Sequence, residues 1–305
     1  MNRFSTKQAG IISLSDLKTM KGKIAYWSVF AFLLFTCIFT LFPAIWVLLS
    51  GFKDSQEIYS GFSLFPRDMS LEHMMTCIVD SWKTLELGRS MINTVIMSMG
   101  SLCLTLIVCG IGGYVLSKMK PRGTNFVLQL VLWTMMMPGQ LRTVPLYISW
   151  LSFPFVANFP FEVSLINTYW PIWLSSAANA FEVLLFKHYF DSIPMSYVEA
   201  AKLDGCGNLS IFFRIMMPIS KPIVIYVSIM SLTYAWSNFF IPYLVLQDKE
   251  LQITPVRIYL LGQSSEIKMN VRFMGIIFAS VVPFLIFAFF QKHIIGGVSI
   301  GGVKG

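Results

Sequence analysis

Glu199-Ala200-Ala201-Lys202-Leu203-Asp204-Gly205, closed by Arg214-Ile215-Met216-Met217-Pro218, is a short amphipathic island between two strongly apolar runs, 163–188 and 222–247. Apolar runs of that length belong in a bilayer, so the island must be read by something outside it. Ala200 and Ala201 would let another protein's backbone approach closely. Asp204-Gly205 supplies a chain reversal that a residue tolerant of left-handed backbone makes cheaply. The charged residues Glu199, Lys202, Asp204 and Arg214 stay on the wet side, and the stretch reads as a docking element.

Working outward, the 305-residue chain is 55% hydrophobic and only 12% charged, with a mean hydropathy of +0.67. That is too apolar for a soluble domain of this size. A net charge of +8 would suggest nucleic acid in a soluble protein, but in a membrane protein basic cytoplasmic loops account for it, and no nucleic-acid partner is expected.

A membrane helix needs roughly 20 mostly apolar residues to cross about 30 Å of hydrocarbon. The runs 24–50, 90–117, 124–150, 163–188, 222–247 and 273–291 meet that template, the third ending in a kink at Met137-Pro138-Gly139-Gln140. The first run is too long for the roughly 7–15-residue apolar core of a secretory signal. The expectation is an all-α membrane protein of six transmembrane helices, with an irregular outer segment at 51–89 lying along the surface. Lys and Arg bias orients it: Arg3, Lys7, Lys18, Lys21 and Lys23, and then Lys118, Lys120 and Arg122, read as cytoplasmic. The segment 52–86 is rich in Asp and Glu and lies outside. Alternation places the segment 1–23, the loop 191–221 and the tail 296–305 in the cytoplasm, so both termini are cytoplasmic.

Chemistry is sparse. His73, His188 and His293 are scattered without a partner motif, so neither an enzyme nor a metal site is expected. Cys37, Cys77, Cys103, Cys109 and Cys206 offer no topologically reasonable pair and read as small apolar fillers. The tail Gly301-Gly302-Val303-Lys304-Gly305 lacks the Gly-Lys-Ser/Thr order and the preceding strand of a phosphate loop, so ATP is not bound here.

Two polar stripes mark the spans: Ser175, Asn179 and Glu182 at i, i+4 and i+7, and Ser231, Tyr234 and Asn238 at i, i+3 and i+7. A buried acid costs about 2.5–3.5 kcal/mol at mid-helix on insertion scales, so Glu182 pairs with another helix or lines a substrate path. Both readings stay open. The aromatics Trp133, Trp150, Tyr169, Trp170, Trp173, Tyr234 and Trp236 either stack on sugar rings or serve as interface and packing residues. Gly100, Gly110, Gly112 and Gly113 suggest close helix packing against a neighbour the sequence does not name.

The docking element resembles the EAA loop of permease subunits of ABC importers: Glu199, Ala200, Ala201, Gly205, Met217 and Pro218 occupy the pattern's positions. Further matches in order and spacing include Gly113-Tyr114-Val115-Leu116-Ser117-Lys118, Met137-Pro138-Gly139-Gln140, Asn167-Thr168-Tyr169, Ser192-Ile193-Pro194 and the terminal Gly301-Gly302-Val303-Lys304-Gly305. Over residues 24–305 the chain is similar to the carbohydrate branch, to the second permease of maltose-type transporters.

That resemblance implies a type I importer permease fold in a bacterial inner membrane. It implies a second permease as hetero-dimer partner, two copies of a cytoplasmic ATPase that bind ATP and Mg, and an extracytoplasmic solute-binding protein. Glu199 would anchor the coupling helix, Gly205 would make its turn, and Gly301, Gly302 and Lys304 of the tail would form a second ATPase contact. The implied cargo is a sugar or oligosaccharide, with a peptide or polyol as alternative; a membrane enzyme or a self-sufficient channel are the readings outside the family. Two departures are visible: Glu182 stands where family members commonly carry a neutral residue, and Trp236-Ser237-Asn238 lacks the acid usual there.

Overall fold

A computed structural model describes residues 19–153 and 163–297. The described chain is helical, with one isolated bridge between Phe153 and Val163. Helix α1 (Met20–Ser50) starts where the Thr19 hydroxyl accepts from the Gly22 N–H at 3.1 Å, a side-chain cap for an otherwise unpaired donor. It is followed by α2 (Ser55–Ser60), α3 (Leu71–Thr84) and α4 (Leu87–Tyr114). A π turn, Val115–Met119, prolongs α4. The segment 51–89 is therefore not irregular as expected: the Ser70 hydroxyl caps α3 through the His73 N–H, and α3 packs on the last helix of the chain.

Three of the six membrane segments are continuous helices, 20–50, 87–119 and 269–291. The other three are interrupted. Between α5 (Thr124–Met136) and α6 (Thr143–Leu151), Met137 is extended because it precedes Pro138. The fourth segment divides into α7 (Trp170–Ala177) and α8 (Ala180–Asp191). On the far side of the docking element, α12 (Lys221–Ser237) stops at Asn238 before α13 (Phe240–Val245). The docking element itself holds α9 (Ser196–Leu203) and α10 (Asn208–Ile211), then a π turn Phe212–Met216 and α11 (Met217–Ile219). After α13 come α14 (Thr254–Gly262) and α15 (Met269–Gly297).

Helix α4 is the central post, packed on α7, α8 and α12. Its glycines name their neighbours. A Cβ on Gly113 would sit 2.5 Å from the Phe186 Cβ and 2.8 Å from the Lys187 backbone N, so α4 and α8 touch nearly backbone to backbone. Gly110 faces the Phe212 ring, Gly112 faces Val183, and Gly100 lies under the Trp173 indole. Small residues let helices approach in a medium where no hydrophobic force drives them together.

The break between α7 and α8 would leave backbone groups unpaired at membrane depth, which is costly unless protein supplies partners. Helix α4 does so. The Thr105 hydroxyl donates to the Ser176 carbonyl at 3.1 Å, and the Cys109 thiol donates to the Ala177 carbonyl at 3.1 Å. Asn179 caps α8 by accepting from the Phe181 N–H at 2.9 Å. Cys109 is thus not an inert filler but one of the donors that make the interruption tolerable.

Candidate functional site

The docking element lies at the end of α4 where its π turn begins. Helix α9 closes in a turn set by Gly205: its φ is +81°, its N–H reaches the Lys202 carbonyl at 3.0 Å, and the Cys206 N–H reaches the Ala201 carbonyl at 2.9 Å. This crossed pair is the glycine-terminated helix end. A Cβ on Gly205 would meet nothing within 4 Å, so glycine is needed there for backbone conformation, not space.

Downstream, Pro218 lacks the N–H that would bond the Arg214 carbonyl. The helical ladder opens into the π turn at 212–216 where that bond is missing. The chain then bends by 86° between 208–219 and 221–237. The bend falls at Ser220, which is fully buried, and Pro222 re-enters a helix in the first turn, where a missing N–H costs little. The docking element therefore joins α12 as a bent lever.

Packing makes the bent lever stiff. Val198, Ala201, Ile211, Phe212 and Met216 of the element form one buried cluster with Cys109 and Tyr114 of α4, Phe186 and Phe190 of α8, and Val227 of α12. Tyr114, Phe190 and Phe212 meet as rings within 5.7–6.5 Å of one another. Ala201 accordingly turns into this chain's own core, at 5% exposure. Of the two alanines only Ala200 is open to a partner.

A polar latch ties the same end together. The Ser117 hydroxyl donates to Asp191 Oδ1 at 2.7 Å, Lys187 Nζ pairs with Asp191 Oδ2 at 2.6 Å, and Lys118 Nζ donates to the Ile193 carbonyl. Partial burial pushes the Asp191 carboxyl up, but bonds from Lys187 and Ser117 and the charges of Lys187 and Lys120 outweigh it and hold the carboxyl below its ordinary range.

The outward surface of the element carries side chains the sequence reading did not single out. Tyr197, Leu203, Leu209 and Phe213 are exposed, Leu203 to 89%. Their signal was present, since apolar residues between spans have no lipid to face. Glu199, Ala200, Lys202, Asp204, Gly205, Arg214 and Pro218 are exposed beside them, and none of the four charges pairs within the chain among the described residues. The tail residues Gly301, Gly302 and Lys304 lie outside the described residues.

The stripe Ser175, Asn179 and Glu182 does not survive as one helix face. Ser175 belongs to α7, Asn179 caps the next helix, and Glu182 is buried with its Oε2 3.9 Å from the Cys109 sulfur. The second stripe also divides: Ser231 is buried, Tyr234 is 65% exposed, and Asn238 is the residue at which α12 ends. Ser175, Asn179 and Tyr234 remain open at the molecular surface, the first two beside a helix interruption. Trp150, Trp173 and Trp236 are packing residues; the indoles of Trp173 and Trp236 donate to the Met97 and Ala279 carbonyls at 2.9 Å.

The opposite end of α4 is held differently. Asn93 donates to the Glu250 and Gln252 carbonyls at 2.8 and 3.1 Å, and the Thr94 hydroxyl accepts from the Thr254 N–H at 2.9 Å. Glu86 binds Lys249 at 3.0 Å and Arg257 at 2.7 Å, and Arg89 pairs with Glu250. The Lys249 bond, with the Arg257 charge, holds the Glu86 carboxyl below its usual range.

Comparison with known proteins fits this architecture. Residues 107–299 match the family described as "Binding-protein-dependent transport system inner membrane component". The arabinooligosaccharides transport system permease protein AraQ of Bacillus subtilis is 29% identical over 282 residues, covering 90% of this chain and 94% of that protein. The melibiose/raffinose/stachyose import permease protein MelC of the same organism is 28% identical, covering 87% and 92%. Among solved structures, a bacterial ABC transporter that imports the acidic polysaccharide alginate contains a chain with the same fold: TM-score 0.73, 20% identity, 90% of this chain and 97% of that one. Membership of such a family brings with it a solute-binding protein and a partner ATPase. The chain belongs to the binding-protein-dependent transport system inner membrane component family, as a membrane-embedded permease subunit of an ABC importer and not an enzyme.

Proposed function

We propose that this chain is one of two unlike permeases that together form the pathway for a sugar or oligosaccharide, with the element 195–219 seated on a cytoplasmic ATPase. The observation that carries the docking role is the pairing of Tyr197, Leu203, Leu209 and Phe213 outside with Val198, Ala201, Phe212 and Met216 inside. One face is apolar and bare, and the other is welded to α4, α8 and α12. Such an element turns a push from a partner into a movement of three membrane helices. ATP and Mg act on the ATPase, and this chain receives the resulting displacement.

In this reading the basic loop 118–122, both termini and the docking element face the cytoplasm, and 52–86 with 248–272 face outward. The oligosaccharide class is supported by what AraQ and MelC carry and by the polar groups Ser175, Asn179 and Tyr234 left open at the surface. The test is ATP hydrolysis by the co-purified complex in lipid, with binding protein and a panel of oligosaccharides. Hydrolysis stimulated by one loaded binding protein, and uncoupled by Leu203→Asp with Leu209→Asp or by Gly205→Pro, is the expected outcome. A chain that recruits no ATPase, or whose complex ignores these substitutions, defeats it.

A further inference from the structure

Helix α3 presents three distinct sides. Cys77 and Ser81 are buried against α15. Glu72, Thr76, Asp80 and Lys83 form an exposed polar sector. Leu71, Met75, Val79 and Trp82, spaced four, four and three residues apart, form an exposed apolar sector. The approach to α3 is equally bare: Phe62, Phe65 and Met69 are all more than half exposed. Side chains of this kind gain about 1.5–3 kcal/mol each when removed from water, so a patch of seven is not at rest in water.

The patch is continuous with a surface already committed to the membrane. Helix α1 spans with no residue of its most apolar stretch buried, and its Phe42 ring lies 6.2 Å from Phe62 at the start of the patch. At the other end, Trp82 stands edge-on to Phe278 of the spanning helix α15 at 5.5 Å. Near the end of α1, Lys53 sits over the Trp46 ring. Apolar stem, aromatic belt and an adjacent charged sector form the arrangement that seats a helix at the headgroup level.

We propose that residues 62–84 are an in-plane membrane anchor, with α3 lying in the outer headgroup layer: Leu71, Met75, Val79 and Trp82 enter the acyl boundary, and Glu72, Thr76, Asp80 and Lys83 face water. The outer leaflet is the occupant because the stretch is tied at both ends to spanning helices, through Phe62 to Phe42 of α1 and through Trp82 to Phe278 of α15. The choice of leaflet rests on the orientation proposed above. The anchor fixes the outer ends of α4 and α15 while the inner end is driven.

The assembled transporter in nanodiscs tests this with spin labels at single sites, in a background where exposed Cys37 and Cys103 and half-buried Cys206 are Ser. Labels at Met75→Cys and Val79→Cys should show an oxygen-to-nickel-chelate accessibility ratio several-fold above that of Thr76→Cys and Asp80→Cys. Equal ratios, or labels at 75 and 79 shielded from both reagents by another subunit, overturn the anchor. Hydroxyl-radical footprinting of the unsubstituted complex is a second readout: Met75 and Trp82 should be protected, and oxidation at the rate of a water-exposed methionine overturns it. An impermeant thiol reagent reaching Thr76→Cys only from outside tests the orientation separately.

Discussion

At its N-terminal end, outer in the proposed orientation, α4 is stitched to the segment 249–257 by side-chain bonds to backbone and by exposed ion pairs; at its C-terminal end, inner in that orientation, it is held by a packed cluster of aromatic and aliphatic side chains with a carboxylate latch. The two kinds of contact suit different tasks. A dense apolar core transmits displacement, because it has few voids and its parts move together. Directional bonds can open one at a time, and the exposed ion pairs among them are worth little because water competes for the same groups. In the proposed orientation, the end that would take a push from the ATPase is built like a protein interior, and the opposite end is built from separable ties.

The comparison is broken most directly by emptying the inner core. Phe212→Ala removes a fully buried ring that meets Tyr114 and Phe190, and should cost about 3–5 kcal/mol. The measurement is thermal stability of the purified complex beside substrate-stimulated ATP hydrolysis. Melting well below wild type with stimulation lost is expected, and an unchanged melting point would mean the cluster transmits nothing. Gly113→Leu attacks the same end by overpacking, since the Phe186 and Lys187 backbone leaves no room for a side chain.

Next in size is an outer tie that is buried. Asn93→Ala leaves the Glu250 and Gln252 carbonyls without this donor, at about 1–3 kcal/mol. If the two ends are built for different tasks, this variant should melt lower yet keep the ratio of stimulated to basal hydrolysis. Loss of that ratio would mean that the outer ties also transmit.

How much of this was legible follows from the range over which each signal acts. Composition and run length fix an all-α membrane protein because hydrocarbon thickness acts on about twenty residues at once. Gly205 was legible because its reason is local: a left-handed backbone with nothing beside it. The interruptions at Ala178-Asn179 and Asn238 were not, since each is stabilised by partners far away in sequence, as when Thr105 and Cys109 take the carbonyls of Ser176 and Ala177. For the same reason Ser175, Asn179 and Glu182 read as one stripe until a break between them sent each elsewhere. Ala201 read as a docking residue because side-chain size does not tell an alanine that admits a partner from one packed under its own chain.

Gly205→Ala is the milder local test, at about 1–2 kcal/mol for a Cβ in left-handed backbone. Since the space around it is open, its effect should fall on coupling more than on melting. A matching fall in both would assign Gly205 to stability alone.

The smallest effects come from the exposed ion pairs, and they separate the ends by salt. Lys249 and Glu86 are more than half exposed, whereas the Lys187 side chain is 15% exposed. Lys249→Gln should therefore change stability by less than about 1 kcal/mol, and 1 M salt should erase that difference, while Asp191→Asn should remain distinguishable from wild type at high salt. Acid acts on both latches in one direction. Each carboxyl is held below its ordinary value, so its contribution is complete above the unfolded-state range and is lost only as pH falls through the lower folded value. Between pH 5 and 8 the effect of Asp191→Asn on melting should stay constant. A change within that interval would show that a group other than this carboxylate titrates at the inner end, and the contrast between a driven core and titratable outer ties would have to be redrawn around it.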